Sequence, residues 1–472
     1  MAHLLNLSLN LNLNLNLSLN LNLNLNLNLN LNLSLNLNLN LNLNLNLNVN
    51  VNVNVNVNVN VNVNVNRLLK PNPSTPRIKP PTTNNQQPPT NNQPHFSNPD
   101  PAFMKIALII PTMDRGGAEK QVVLLAIGLK DAGHDVRVML LTRDGPRSDE
   151  LRSVGIPVDL IGKKFKGDLT SLWRLKKRLI EFQPDVVHTW LFAANSFGRV
   201  AALMARVPVI IASERCVDPW KRRWHFIIDR YLAKRSQAIT TNSEGVRDFY
   251  ANHGLDPRQF EIIPNGVTIQ SNNAPTNLKT RDEVLSKLSI DPHRKMILAV
   301  GRLWPQKRVR DLIWAGELIA TLRGDVTLLI VGDGPERDEL IRHRDAVSQV
   351  EHVRFAGQRD DVADLLAHAD AFWIASEYEG QSNAVIEAML ACVPVFASDI
   401  PGNRDLIIDG ETGWLFQLGS EAELVQKTNE MFNAPETATR VTLAAKDRIE
   451  TEFTVNAMVQ RHLQLYERLK VD

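Results

Sequence analysis

From residue 104 onward the chain alternates two hydrophobic rhythms. Short, largely apolar runs, "KIALII", "DVRVMLLT", "PDVVHTW", "VPVIIAS", "AITTNS" and "EIIPNGV", read as strands. Between them "GGAEKQVVLLAIGLKDAG", "DLTSLWRLKKRLIEF", "SFGRVAALMAR" and "EGVRDFYANHG" read as amphipathic helices. The polar stretch "TIQSNNAPTNLKT" then breaks the series and reads as a linker. A second series follows, from "KMILAVG" through "VTLLIVGDG", "VRFAG" and "AFWIAS" to "VPVFAS", again with helices between. "TVNAMVQRHLQLYERLK", within about 454–470, predicts one last helix. Alternating strands and helices with continuous apolar strands predict doubly wound parallel sheets. The chain is therefore expected to be α/β, with two Rossmann-like domains, 104–272 and 273–472, and a ligand in the cleft between them.

Upstream the rhythm changes. Residues 4–66 repeat Leu-Asn and then Val-Asn almost without interruption, a low-complexity tail (1–66) whose period of two sets no register. Residues 67–103 are rich in Pro, Asn, Gln and Thr and predict a disordered linker. Asn at every second place argues against a secretory signal or a membrane span. The repeat resembles a translated simple nucleotide repeat, and Met104, directly before the first strand, is the expected working start. A repeat strand or assembly tag is the other reading.

Charge narrows the class. The net charge is +2, and residues 1–66 contain no Lys, Arg, Asp or Glu. The linker 67–103 carries four cations against one anion, so the folded part is close to neutral and nothing global points to nucleic acid. Cys216 and Cys392 make neither a disulfide framework nor a metal knuckle, which fits reduced thiols in the cytoplasm. No apolar run reaches the roughly 18 residues of a spanning helix.

The candidate chemistry lies at predicted strand ends. "GDGPER" has Gly332 and Gly334 but Arg337 where a dinucleotide fingerprint needs a third glycine, and no P-loop occurs. "GRLWPQKR" puts Arg302 and Lys307 just past a strand, where two cations can grip a diphosphate; a solvated basic loop is the plain alternative. In "EYEGQSNAVIEA", Glu379 precedes a helix start and Glu387 lies about one turn inside it, with Gly380 and the N-cap candidates Ser382 and Asn383 between. Free N–H groups at that start suit a phosphate, and the carboxylates suit sugar hydroxyls. Acids near a helix start are also favoured by the dipole alone. Gly116-Gly117 can turn backbone amides towards an anion, or simply form a turn.

Taken jointly, "GGAE", "DVVHTW", "IIPNGV", "GRLWPQKR", "VGDGPERDEL", "FAGQRDDV" and "EGQSNAVIEAMLACVPVFASDIPGNRDLIIDGETGWLF" resemble family 4 of the retaining glycosyltransferases over nearly all of 104–472. The resemblance implies the GT-B fold, with an acceptor-side first domain and a donor-side second domain. It also implies that the last helix packs back on the first domain. Glu379 and Glu387 match the family's paired glutamates: Glu387 would bind the donor ribose, and Glu379 would contact the donor sugar near the reacting carbon. Arg302 and Lys307 would hold the diphosphate, Gly116 and Gly117 would face it from the first domain, and His188 would approach the donor sugar as a second catalytic residue. Gln381 and Ser382, beside Asn383 at the donor, replace an aromatic residue and a proline common in the family, which leaves the sugar open. "ASERC" replaces a commoner histidine-bearing version, which leaves the acceptor open.

The expected reaction is hexosyl-type transfer from a nucleotide-diphosphate sugar to a hydroxyl with retention, in polysaccharide, lipopolysaccharide or glycolipid biosynthesis. No D-x-D occurs, so neither metal nor cofactor is expected and the cations carry the leaving group. The acceptor would be a glycan or lipid-linked glycan. "KKFKGDLTSLWRLKKRL" and "WKRRWHFIIDRYLAKR" are either solvated helix faces or peripheral contacts with an anionic membrane. Rival readings are a sugar-nucleotide epimerase of the same fold, a non-catalytic nucleotide-sugar binder, and an assembly protein built on the Leu-Asn tail.

Overall fold

The computed structural model describes the backbone of 18–21 and 40–43, and residues 103–165, 167–269 and 280–471. Expectations for the tail 1–66, the linker 67–103 and linker residues 270–279 otherwise lie outside the described residues. In the first unit, Met1–His95, strands β1 (Ser18–Leu21) and β2 (Asn40–Leu43) pair in parallel.

The second unit, Phe96–Asp472, holds two parallel sheets. The first contains β3 (Lys105–Ile110), β4 (Asp135–Leu140), β5 (Val158–Leu160), β6 (Val186–Trp190), β7 (Val209–Glu214), β8 (Ala238–Thr241) and β9 (Phe260–Ile262), in the order β5-β4-β3-β6-β7-β8-β9. The second contains β10 (Lys295–Val300), β11 (Val326–Val331), β12 (Val353–Gly357), β13 (Ala371–Ile374), β14 (Val395–Ser398) and β15 (Trp414–Phe416), in the order β12-β11-β10-β13-β14-β15. Every residue of β6, β7 and β11 is buried, which is why these strands read as largely apolar runs. Strand order reverses at β3/β6 and again at β10/β13, and loops leaving such switch points diverge to leave a crevice.

Several elements escape the sequence pattern. Strands β5 and β15 have three residues each, too few to show a period. The helix expected from Ser196 begins at Leu191, directly on the last residue of β6. Leu191 takes φ 68°, so the chain turns from strand to helix with no polar turn residue to mark the change.

The last helix, Val455–Val471, completes the core of the first sheet. Met458, Val459, Leu463, Leu465 and Tyr466 are buried there with Met104, Ile106, Leu125 and Trp190. Gly128, on the helix Gly117–Asp131, lies under Val459, and any side chain there would hold the two helices apart. Among the described residues no helix is long and apolar enough to cross a membrane.

Asp405 ties the two halves at their outer edge. Its Oδ2 accepts the Glu244 N–H at 3.0 Å, at the start of the helix Glu244–Asn252. Burial outweighs this bond and pushes the carboxyl up to about 6 from 3.8. The folded protein then binds this proton more tightly than the unfolded chain, so stability falls as pH rises between those two values. Asp405→Asn keeps an oxygen acceptor and removes the titration. It is expected to raise stability at pH 7 by about 1–2 kcal/mol, allowing for solvent screening, and to match wild type near pH 4. Melting curves at both pH values check this; equal gaps at both would contradict it.

Candidate active site at the seam between the sheets

The loop leaving β13 carries the first carboxylate. Glu379 Oε1 accepts from Ser376 Oγ at 2.8 Å and pairs with Lys307 Nζ; the two side chains are 10% and 15% exposed. Lys307 ends the short turn Pro305–Lys307 after β10. Arg308, at φ 48°, then swings the chain into the helix Val309–Arg323. The Glu377 N–H donates to the Gln306 carbonyl at 2.8 Å, so the loops bearing the acid and the lysine are laced together.

The second carboxylate lies on the helix Asn383–Leu390, whose N-cap Ser382 makes no side-chain cap bond. Glu387 pairs with Lys120 of the first half, with both side chains about one-third exposed. The same helix start is pinned across the seam. Asn383 Nδ2 donates to the Gly117 carbonyl at 3.2 Å, and Asn383 Oδ1 accepts from Asn265 at 2.7 Å and Gln121 at 3.2 Å. Gln121 in turn exchanges two hydrogen bonds with the Gly266 backbone, at 2.8 and 2.9 Å. Gln381 is buried and accepts the Asn265 N–H at 2.9 Å. Ser382 is buried beside it. Gln381 and Asn383 thus fasten the donor-side loop to the first half, with Ser382 at the N-cap position between them.

Gly116 lies under the Glu119 side chain, which folds back over it and accepts from Thr112 Oγ1 at 3.3 Å. Burial raises the Glu119 carboxyl, and the Arg302 charge partly opposes this. Arg302 is exposed, with its guanidinium 5.4 Å from the Trp304 ring. Its charge therefore reaches across the seam to the Gly116-Gly117 turn.

His188 does not join this group. It is fully buried, with Nδ1 2.7 Å from Tyr466 Oη and Nε2 3.0 Å from Thr240 Oγ1. Burial, with the neighbouring His462 and Arg215, holds its basicity well below the ordinary imidazole range. The expectation that it approaches a donor sugar is corrected: both nitrogens are engaged within the core, where the last helix meets β6.

Sequence reasoning missed Lys120, the first-half partner of Glu387, and Gln121 and Asn265, the first-half partners of Asn383. It also missed Cys216, near Glu379 and Gly380; burial, then Glu379 and Asp218, push this thiol up to about 12, so it is no nucleophile. Lys120 and Gln121 follow "GGAE" directly, and Asn265 sits in "IIPNGV", so the motifs marked their places although not their partners.

Three cations, a helix start and two partly exposed acids thus converge where the two switch points face each other. The cations and helix start suit an anionic group, and the acids suit hydroxyls. Residues 115–271 match the family described as Glycosyltransferase Family 4, and residues 280–448 match Glycosyl transferases group 1. The chain is 26% identical over 294 residues to an Escherichia coli UDP-Gal:alpha-D-GlcNAc-diphosphoundecaprenol alpha-1,3-galactosyltransferase, covering 59% of this chain and 76% of that one. It is 24% identical over 346 residues to a Campylobacter jejuni N-acetylgalactosamine-N,N'-diacetylbacillosaminyl-diphospho-undecaprenol 4-alpha-N-acetylgalactosaminyltransferase, covering 69% and 90%. Among solved structures, Anabaena HepE in complex with UDP and glucose shares the fold at TM-score 0.68 and 23% identity, over 78% of this chain and all of that one. With both halves matched in order and the site at their seam, the chain belongs to family 4 of the GT-B glycosyltransferases.

Proposed function

We propose that the chain transfers a hexosyl-type sugar from a nucleotide-diphosphate sugar to a hydroxyl of a glycan or lipid-linked acceptor, with retention and without a metal or other cofactor. The observation that carries this is the pairing of Glu379 with Lys307 and Glu387 with Lys120 on either side of one helix start. In this reading 273–472 bind the donor and 104–272 face the acceptor. Glu387 holds the ribose; Arg302, Lys307, the helix start at Ser382 and Asn383, and the Gly116 and Gly117 turn hold the diphosphate. Glu379, with Gln381 nearby, faces the sugar. As the bond to the diphosphate breaks, its developing charge meets fixed cations and amide dipoles, which favours the transition state over the bound donor. Seating the acceptor hydroxyl on the face the diphosphate leaves preserves the anomeric configuration. The E. coli and C. jejuni relatives bear lipid-linked diphospho-undecaprenol acceptors in their names, which supports a similar acceptor class and a role in glycolipid or polysaccharide assembly.

Donor binding is tested by thermal shift on residues 104–472 with UDP-, GDP- and ADP-sugars and the bare nucleotides. One nucleotide series is expected to raise the melting temperature, and Glu387→Ala to abolish the rise. A folded protein with flat curves for all of them would overturn the donor assignment.

We also propose a cytoplasmic protein that touches an anionic membrane through its two basic, aromatic stretches. Phe165, Leu169 and Trp173, and Trp224, Ile227 and Tyr231, are all more than half exposed, with Arg222, Arg223 and Arg230 exposed among the second set. Co-flotation with phosphatidylglycerol vesicles at low salt is expected, with loss in high salt. Absence of co-flotation at low salt would retire the membrane contact.

A further inference from the structure

The loop after β7 presses on the donor-side loop from the first half. The Arg215 carbonyl lies against Gly380, and the Gly380 N–H faces the Cys216 thiol. Two residues further, Asp218 keeps 21% of its side chain exposed. Its Oδ1 accepts the Trp220 indole N–H at 3.0 Å, and its Oδ2 lies 2.9 Å from Tyr250 Oη.

That hydroxyl is over-subscribed. Tyr250 Oη is also 2.9 Å from Glu214 Oε2 and 2.8 Å from Lys221 Nζ. The lysine can only donate, and the tyrosine has a single proton to give. The two carboxyls therefore share the one hydroxyl proton between them, or hold a second proton in common. Burial raises both Glu214 and Asp218, in keeping with such sharing. Asp229, 3.0 Å from Lys221 and 3.3 Å from Arg199, completes a group of three acids and two cations.

Next to Asp218 stands a shelf of rings. Trp220 and Trp224 are 54% and 52% exposed. Phe192 meets them edge-on with centroids at 5.6 and 6.5 Å, and Trp224 stacks on His225 at 3.5 Å. The indoles are braced from behind yet open in front. The Asp218 carboxyl oxygens beside this shelf suit hydroxyls, and the exposed indole faces suit the C–H face of a sugar ring.

We propose that Asp218, Trp220 and Trp224 form the acceptor subsite and take a pyranose ring, with Asp218 accepting a ring hydroxyl and an indole face lying under the ring. This rests on the glycosyltransferase reading above and gives the acceptor its chemical class at this point: a pyranose ring.

The test is saturation-transfer NMR on the chain with octyl β-D-glucoside, octyl β-D-galactoside and octyl N-acetyl-β-D-glucosaminide below their micellar concentrations. Ring protons of at least one glycoside are expected to be saturated by wild type and by Trp314→Ala, a distant exposed indole on the helix Val309–Arg323. The signal should be lost in Trp220→Ala and in Asp218→Ala. If Asp218→Ala does not fold, Trp220→Ala decides alone. Equal ring saturation in the variants, saturation of the octyl chain only, or no binding by a wild type that responds to nucleotide would each overturn the proposal. A nucleotide thermal shift run in parallel separates the readings. Flat nucleotide curves with the expected ring signals would remove the donor assignment and leave the sugar subsite standing.

Discussion

Lys307→Ala is expected to lower kcat by about 10²–10³-fold, with a smaller change in donor KM. Lys307 is the more enclosed of the two donor-side cations, and its ammonium lies on Glu379. Its removal takes away a fixed positive charge where the leaving diphosphate develops its own. It also strips Glu379, a carboxylate only 10% exposed, of its counter-ion, leaving the Ser376 hydroxyl to donate to it. Arg302→Ala should cost less, because Arg302 is exposed and its guanidinium rests beside Trp304. Steady-state kinetics with the donor found by thermal shift check both. Turnover of Lys307→Ala within about threefold of wild type would remove the lysine from the transition state.

The second large effect is expected from one methyl group. Gly380→Ala would place a Cβ 2.6 Å from Asn242 Oδ1 and into the Arg215 carbonyl oxygen. Neither can yield cheaply: Asn242 bonds Asn265 at 3.3 Å, and the Arg215 side chain bonds Asn265 as well. The loops must part, at a cost of about 1–3 kcal/mol as overpacking. Each half keeps its own core, so the variant should fold, with a melting temperature lower by several degrees. Activity should fall about 10²-fold, since a small misplacement of Glu379 against the first half spoils the reacting geometry. A variant with wild-type turnover would show that the close approach at Gly380 is dispensable.

The parts of this architecture that repeat were legible from sequence. Both sheets announced themselves through runs such as "KIALII" and "KMILAVG", because a strand covered on both faces leaves no polar gaps. Arg302, Lys307, Glu379 and Glu387 were legible because strand ends and a helix start locate them. What stayed hidden depends on where a side chain turns. His188 reads from sequence as a strand-end histidine, yet it is the middle residue of β6 and its ring points to Tyr466, 278 residues away in sequence. Lys120 looks like any lysine on a helix face until Glu387, 267 residues on, closes against it. The stretch "WKRRWHFIIDRYLAKR" reads as basic with aromatics, but Lys221 is buried among Glu214, Asp218 and Asp229. Sequence spacing carries the order of motifs and not the pairing of distant side chains.

The position of the final helix sets the schedule on which the chain can mature. The sheet formed by residues 105–262 has its hydrophobic layer closed by Met458, Val459, Leu463 and Tyr466. During synthesis, the ribosome must therefore deliver the whole second half before the first can seal. Until then Ile106, Leu125 and their neighbours keep a bare apolar face on a nascent chain, a natural hold point for a chaperone. A chain released before Val455 would lack this closure. It would keep the donor-side acids intact and yet go to proteolysis as an unsealed half.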